Sequence, residues 1–136
     1  MTMSIRPVNE MVEEAKQHLD NLSPTEAKRR VDDEGALIID IRDVREVQRT
    51  GAMAGSNHSP RGMLEFWFDP SSPYAKAVFQ EDREFILCCA AGWRSALAAK
   101  TLLDMGVPRI SHIETGFAGW ESDGLPVVAY DEFRGR

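Results

Sequence analysis

The fold of this chain is decided by the stretch FILCCAAGWRSAL, residues 85–97. Residues 85–88 form a short apolar run that suits a buried strand. Residues 89–93 are mostly small, and a helical pattern then runs from Arg94 to Met105 and ends before Gly106. This order of strand, small-residue loop and helix predicts an α/β fold with the loop at the carboxyl end of a strand.

The flanking segments continue the alternation of strands and helices. Two further apolar runs, residues 36–41 and 110–113, predict buried strands. Helical patterns cover residues 7–19 and 23–34, and Asp43 can cap a brief third helix. We therefore predict an α/β domain with a central, mostly parallel sheet flanked by helices.

The length and order of the chain predict one domain. A chain of 136 residues can bury a single core. We assign residues 1–20 to an N-terminal helical extension, residues 21–130 to the domain and residues 131–136 to a flexible tail. An apolar cluster at residues 63–68 interrupts an irregular segment, and we expect it to pack onto the domain.

The composition narrows the class of partner. The chain has 16 basic and 22 acidic residues, a formal net charge of -6, which disfavours nucleic acid as a partner. Its apolar stretches are too short to span a bilayer, so we expect no membrane partner. The first 20 residues lack the apolar core of a signal peptide, so we expect a cytoplasmic protein.

The only two cysteines, Cys88 and Cys89, are adjacent, which makes a structural disulfide between them improbable. The three histidines are scattered and lack the usual spacing of metal ligands. We therefore expect no metal site.

The loop after the strand has the features of an anion site. The start of a helix offers unpaired backbone N–H groups and a positive dipole end, which should stabilise a thiolate at Cys89. Arg94 adds a permanent positive charge, and Ser95 can cap the helix or donate a hydrogen bond. Three small residues allow the backbone to curl around a bound anion: Ala90, Ala91 and Gly92.

Other nearby residues are weaker candidates. Cys88 is expected to be a buried residue on the opposite face of the strand, since successive side chains alternate. Trp93 is too large for the anion nest, so it should cover the outside of the loop or stay partly exposed. Arg42 is expected to form an ion pair, for instance with Glu46, whereas Arg61 is a candidate for attracting an anionic donor.

These residues resemble the active loop of the rhodanese family: a cysteine, four residues, an arginine and then serine or threonine. Residues 89–95 match this pattern without a gap. Residues 39–42 followed by Glu46 resemble the family's first strand and its acidic short helix. Residues 116–120 resemble part of its C-terminal ending. The likeness as a whole covers roughly residues 22–128.

The resemblance implies a small α/β domain that transfers sulfane sulfur by a ping-pong reaction. Cys89 would take sulfur from thiosulfate or a persulfide donor and pass it from a Cys89 persulfide to cyanide, a thiol or a protein acceptor. Arg94 would orient the donor or the loop. The backbone from Ala90 to Ser95, including Trp93, would cradle the sulfur without a cofactor or metal.

The chain departs from the family pattern in several places. Ala52 stands where the family often has histidine, and Ala54 where it often has proline. The segment at residues 61–79 is longer and more aromatic than in minimal members. The helix predicted at residues 7–19 lies outside the common core.

Two other functions stay open. Cys88 and Arg94 have the longer spacing used by phosphatases and arsenate reductases of the related fold, although Leu87 stands where those enzymes usually have histidine. A non-catalytic sulfur carrier or regulatory module is the second alternative. It would show weak turnover with small acceptors.

Overall fold

A five-stranded parallel sheet forms the centre of the molecule. The computed structural model describes residues 4–131. The strand order is β1-β6-β5-β2-β4, and the strands span Asp20–Leu22 (β1), Leu37–Asp40 (β2), Asn57–His58 (β4), Phe85–Cys88 (β5) and Ile110–Ile113 (β6). A small antiparallel pair joins β3, Ala52–Met53, to β7, Val127–Val128. The predicted α/β fold with a mostly parallel central sheet is confirmed.

Six helices accompany the sheet within residues 4–131. They span Val8–Gln17 (α1), Pro24–Glu34 (α2), Val44–Thr50 (α3), Leu64–Phe68 (α4), Trp93–Met105 (α5) and Gly116–Ser122 (α6), and two 3₁₀ turns cover Arg61–Met63 and Ala77–Gln80. None of the helices within residues 4–131 has the length and apolar character needed to cross a membrane.

Local capping explains where two of these helices begin. The Ser23 hydroxyl accepts a hydrogen bond from the Glu26 N–H at 3.1 Å at the start of α2. Asp43 and Glu46 form a reciprocal capping box at the start of α3. Both starts had been predicted from the sequence, as had the end of α2 at Gly35, which adopts a left-handed conformation.

The core lies on both faces of the sheet. One face packs Ile39, Leu87 and Cys89 against α5 and the aromatic residues of the 61–79 segment, and the other packs Ile38, Ile86 and Cys88 against α2 and α6. The predicted packing of the 63–68 cluster is confirmed, because Leu64 and Phe68 are buried in the first of these layers. Phe66 of the same cluster is exposed.

Some elements differ from the prediction. No strand was predicted before residue 36, but Asp20–Leu22 form β1, which pairs with β6. The helix predicted at residues 7–19 is confirmed as α1, which packs on α5 through Val12, Ala15 and Ala96. Most of the predicted flexible tail, residues 132–136, lies outside the described residues, and the domain boundaries stay a prediction.

Candidate functional site

The site is the loop between the end of β5 at Cys88 and the start of α5 at Trp93. The loop turns sharply at Gly92, which has a φ of 95°. A Cβ atom at this position would lie 1.9 Å from the carbonyl oxygen of Glu114. Only glycine combines this backbone conformation with so close an approach.

The sulfur of Cys89 lies at the base of this loop. Two backbone amides point at its Sγ atom, that of Gly92 at 3.2 Å and that of Ser95 at 3.3 Å. The second amide belongs to the first turn of α5, where N–H groups have no partner within the helix. The side chain is 1% exposed. The loop therefore presents hydrogen-bond donors to a sulfur anion, and only a narrow group could reach it.

The outer side of the loop is held by the start of α6. The Phe117 N–H donates to the Cys89 carbonyl oxygen at 2.7 Å, and the Ala118 N–H donates to that of Ala90 at 3.1 Å. Gly116 permits this contact, because a Cβ there would lie 2.5 Å from the backbone of Ala90. With its carbonyl groups bound outward, the loop is free to direct amides inward.

Cys88 has a different environment. Its side chain lies on the opposite face of the sheet from that of Cys89, as predicted, and its Sγ atom is 3.4 Å from the Cys89 carbonyl oxygen. Burial, with the nearby Asp40 carboxylate as a smaller cause, raises the pKa of the Cys88 thiol well above its ordinary value. A protonated thiol is a poor nucleophile, so this environment suits a structural cysteine.

Arg94 forms a bidentate ion pair with Glu46. Its two terminal nitrogens donate to the two carboxylate oxygens at 2.8 and 2.9 Å. The hydrogen bonds from Arg94 hold the pKa of Glu46 below its ordinary value, so Glu46 stays ionised. The pair joins the start of α5 to the start of α3, and it offsets the positive charge predicted to face an anion.

The guanidinium of a second arginine at this edge, Arg42, is occupied by contacts within the protein. Arg42 is buried and donates to both carboxylate oxygens of Asp40, with its Nη2 atom 2.8 Å from Oδ2. It also donates to the carbonyl oxygen of Gly51 at 2.8 Å, and its guanidinium lies 4.2 Å from the centre of the Phe117 ring. The predicted ion pair exists, but the suggested partner Glu46 was wrong. The observed partner is Asp40, two residues before Arg42, and its side chain is buried as well.

Ser95 reaches the site through its backbone, while its side chain points elsewhere. The Ser95 hydroxyl lies 2.9 Å from Nδ1 of His112, and Nε2 of His112 lies 2.7 Å from Oδ1 of Asn21. The Asn21 amide nitrogen donates to the carbonyl oxygens of Lys16 and Leu19. Oδ1 therefore accepts from the His112 Nε2–H, and Nδ1 accepts from the Ser95 hydroxyl.

The surroundings of His112 keep its imidazole neutral at pH 7, so Nδ1 is an acceptor for the Ser95 hydroxyl. Burial, with the charge of Lys16 as a smaller cause, lowers the pKa of His112 to about 4. Sequence reasoning missed His112 and Asn21, because their contact depends on the pairing of β1 with β6. An isolated histidine in an apolar strand, as in residues 110–113, was the one signal available.

A family model for the rhodanese-like domain matches residues 23–123. This chain belongs to the rhodanese-like family. The match includes every strand of the central sheet except β1, together with the loop and α6, and it confirms the resemblance seen in the motif at residues 89–95.

Relatives of this rhodanese-like chain include proteins named as sulfurtransferases and one named as a phosphatase. The thiosulfate sulfurtransferase GlpE of Actinobacillus pleuropneumoniae is 28% identical over 108 residues, 78% of this chain and 90% of the relative. The dual specificity phosphatase Cdc25 of Arabidopsis thaliana is 33% identical over 98 residues, 66% of this chain and 64% of the relative.

A solved structure from Rhodopseudomonas palustris is also similar to this rhodanese-like chain. It is 46% identical with a TM-score of 0.87, and the match covers 94% of this chain and 99% of that one. That protein is described as having unknown function and as a possible tyrosine phosphatase.

The remaining predicted site residues are Trp93, Ala90, Ala91 and Arg61, and the structure places them in different surroundings. Trp93 is half exposed, as predicted for a side chain too large for the nest. Ala90 is partly buried and Ala91 is exposed at the rhodanese-like loop. Arg61 pairs with Glu65 at 2.7 Å and lines a cavity of about 340 Å³ beside the middle of α5. The lining of that cavity includes Leu97 and Thr101 rather than loop residues, so the structure does not bring Arg61 to the sulfur.

Proposed function

We propose that this protein is a sulfurtransferase that carries sulfane sulfur as a persulfide on Cys89. The observation that carries the proposal is the pair of backbone amides, from Gly92 and Ser95, directed at the Cys89 sulfur. Such donors stabilise both the attacking thiolate and the negatively charged persulfide. The similarity to the sulfurtransferase GlpE supports the same chemistry.

The reaction would need only the residues of the loop. The Cys89 thiolate attacks the outer sulfur of the donor, a sulfur–sulfur bond forms, and the donor's own sulfur–sulfur bond breaks. With thiosulfate the leaving group is sulfite, and with a persulfide it is a thiolate. A cyanide or thiol acceptor, free or on a protein, then attacks the outer sulfur and regenerates Cys89. A reducing compartment such as the cytoplasm would keep Cys89 free for the next cycle.

Arg94 would act mainly on the loop. Its bidentate pair with Glu46 holds the first turn of α5 against α3, which keeps the Ser95 amide on the sulfur. We expect Arg94→Ala to lose much of the turnover. Arg94→Lys should restore only part of it, since an ammonium group lacks the planar fork of the guanidinium. Unchanged kinetics in both variants would contradict this role.

Phosphatase activity through Cys88 is the second candidate, favoured by the names of two similar proteins. The surroundings of Cys88 argue against it. Its side chain is fully buried on the face opposite Cys89, and burial raises the pKa of its thiol. A phosphate ester is also wider than a terminal sulfur atom. Hydrolysis of p-nitrophenyl phosphate that is lost in Cys88→Ser would support the phosphatase and refute the sulfur proposal.

Intact-mass spectrometry tests the proposal directly. Incubation with thiosulfate or an organic persulfide should add the mass of one sulfur atom, and dithiothreitol should remove it. Cys88→Ser should still gain the sulfur, while Cys89→Ser should not. If no donor adds sulfur to the wild-type protein, the sulfurtransferase proposal fails.

A further inference from the structure

Basic side chains around the carboxyl edge of the sheet are paired with carboxylates. Arg94 pairs with Glu46 beside the loop, and Arg42 pairs with Asp40 in the buried layer below it. Two more basic residues that flank this edge are paired in the same way, Arg45 with Asp43 and Lys16 with Glu114. The charges of these four basic residues are therefore offset by carboxylates, although the edge surrounds a site for an anion.

Glu46 is held in position by more than Arg94. Its Oε2 atom accepts from the Arg94 guanidinium at 2.8 Å and from the Asp43 N–H at 3.0 Å, and its side chain is only 24% exposed. An incoming anion therefore meets Arg94 with a fixed carboxylate already bound to it. To use the full charge of Arg94, the anion would have to displace Glu46.

This arrangement disfavours a dianion. The amides of Gly92 and Ser95 can compensate one negative sulfur, together with the partial positive charge at the start of α5. The second charge of thiosulfate, on its sulfonate group, would lie outside these donors and near Glu46. An organic persulfide carries no such second charge, either as R–S–S⁻ or as the R–S–SH that the thiolate attacks, and its organic group can rest against the half-exposed Trp93.

We propose that Glu46 is a specificity-determining residue: by neutralising Arg94 it makes the loop favour small organic persulfides over thiosulfate as the sulfur donor. This inference rests on the proposed sulfurtransferase function. In the step concerned, the Cys89 thiolate attacks the outer sulfur of R–S–SH. The Cys89 sulfur–sulfur bond forms, the donor's bond breaks, R–S⁻ departs and the proton stays with the transferred sulfur. Atoms and charge balance without a further oxidant or reductant.

The test measures sulfur loading of Cys89 by intact mass in a single turnover, with thiosulfate and with the persulfide of 2-mercaptoethanol. The two donors differ in intrinsic reactivity, so the informative quantity is the change that each variant causes for each donor. In Glu46→Gln the amide oxygen can still cap α3, while Arg94 gains an uncompensated charge. Loss of the bidentate pair loosens the first turn of α5 for both donors alike, and this common effect cancels in the ratio of the two rate constants. The ratio of loading from thiosulfate to loading from the persulfide should rise about 10-fold.

Ionic strength provides a readout that a structural role would not move. Loading of Glu46→Gln from thiosulfate should slow as salt increases, because salt screens the attraction between the dianion and the freed Arg94. The wild-type protein should show a weaker dependence. Arg94→Gln added to Glu46→Gln should remove both the gain and its salt dependence.

A matched control is available at the opposite edge of the sheet. Glu81 pairs with Arg83 at 2.8 Å ahead of β5, so Glu81→Gln makes the same change of charge away from the loop. It should leave loading from both donors unchanged. Arg94→Gln alone is a second, independent variant if Glu46→Gln folds poorly. It leaves Glu46 uncompensated and should slow loading from thiosulfate about 10-fold more than loading from the persulfide.

The outcomes separate this inference from the function on which it depends. If no donor loads Cys89, the proposed function itself fails. If both donors load, but Glu46→Gln changes the two rates by the same factor, donor selection by Glu46 is overturned and sulfur transfer stands.

Discussion

The side chains of Cys88 and Cys89 leave the backbone one residue apart and enter opposite faces of the sheet. The Cys89 sulfur receives the amides of Gly92 and Ser95. The Cys88 sulfur contacts a carbonyl oxygen and lies near the Asp40 carboxylate, which disfavours a thiolate. Strand alternation and the turn at Gly92 thus place two identical side chains in different surroundings: hydrogen-bond donors face one sulfur, and a hydrogen-bond acceptor faces the other.

Exchanging each cysteine for serine should show the largest contrast. Cys89→Ser should lower the rate of thiosulfate:cyanide sulfur transfer by at least about 1,000-fold, because the nucleophile is lost. Cys88→Ser or Cys88→Ala should retain most of the rate and cost about 1–2 kcal/mol of unfolding free energy. Steady-state kinetics and urea denaturation measure the two effects. Loss of transfer in Cys88→Ser with transfer retained in Cys89→Ser would reverse the assignment.

Gly92→Ala should distort the loop and make the Cys89 thiol less reactive. The new Cβ atom would meet the Glu114 carbonyl oxygen at 1.9 Å in a backbone conformation that side chains rarely adopt. We expect a loss of about 3–5 kcal/mol in unfolding free energy and slower alkylation of Cys89. Gly106→Ala is the control, since Gly106 has a φ of 101° but open space around it, and it should cost about 1 kcal/mol. Equal losses in both variants would show that the close approach to Glu114 has no effect.

Alkylation by iodoacetamide at neutral pH should distinguish the two thiols by about 100-fold. Single-cysteine variants, Cys88→Ala and Cys89→Ser, let each thiol be followed by mass spectrometry. Cys89 is also buried, but it belongs to a loop in which Ala91 is exposed, and it should react faster. Cys88 lies in the core beside α2 and α6, where burial raises its pKa, and it should stay unreactive even at mildly alkaline pH. Unfolding in urea should make Cys88 reactive. Rapid reaction of Cys88 in the folded protein would contradict the buried environment.

Acid should lower the free energy of unfolding by a smaller amount, through protonation of His112, whose side chain contacts Ser95. His112, which holds Ser95, has a pKa of about 4 in the folded protein against an ordinary value of 6.5. Between these values the unfolded chain binds a proton that the folded protein does not, so stability falls as the pH decreases from 6.5 to 4. We expect His112 to account for about 1–3 kcal/mol of this loss.

The contribution of His112 can be isolated with a second histidine. Urea denaturation of His112→Asn at several pH values should show a flatter dependence between pH 4 and 6.5 than the wild-type protein does. His18→Gln removes an exposed histidine and serves as the control. An unchanged slope in His112→Asn would remove this residue from the account.

Much of the fold could be predicted because its signals are local. The apolar run before Cys89, the small loop residues and the helical pattern after Trp93 each depend only on neighbours in sequence. The capping box of Asp43 and Glu46 is equally local, and the structure contains it. The family motif added the expectation that Cys89, rather than Cys88, is the nucleophile.

The missed features depend on long-range pairing. The strand Asp20–Leu22 has only one buried residue and forms because β6 lies beside it. The choice of Glu46 by Arg94 follows from how α3 meets α5, which no spacing in the sequence reveals. Arg42 pairs instead with Asp40, two residues away, because both side chains are buried together. Ser95 was predicted to cap the helix or donate a hydrogen bond, and the sequence does not reveal that its hydroxyl contacts His112.

The hydrogen bonds from Phe117 and Ala118 to the outer side of the loop have a consequence for the work done in each cycle. Water around a free thiolate must reorient whenever the charge on sulfur moves, and this reorientation adds to an activation barrier. Amides anchored through a helix have already been oriented when the chain folded. The loop should thus keep one shape whether Cys89 is empty or loaded, and the energetic cost of ordering its dipoles falls on protein stability rather than on turnover.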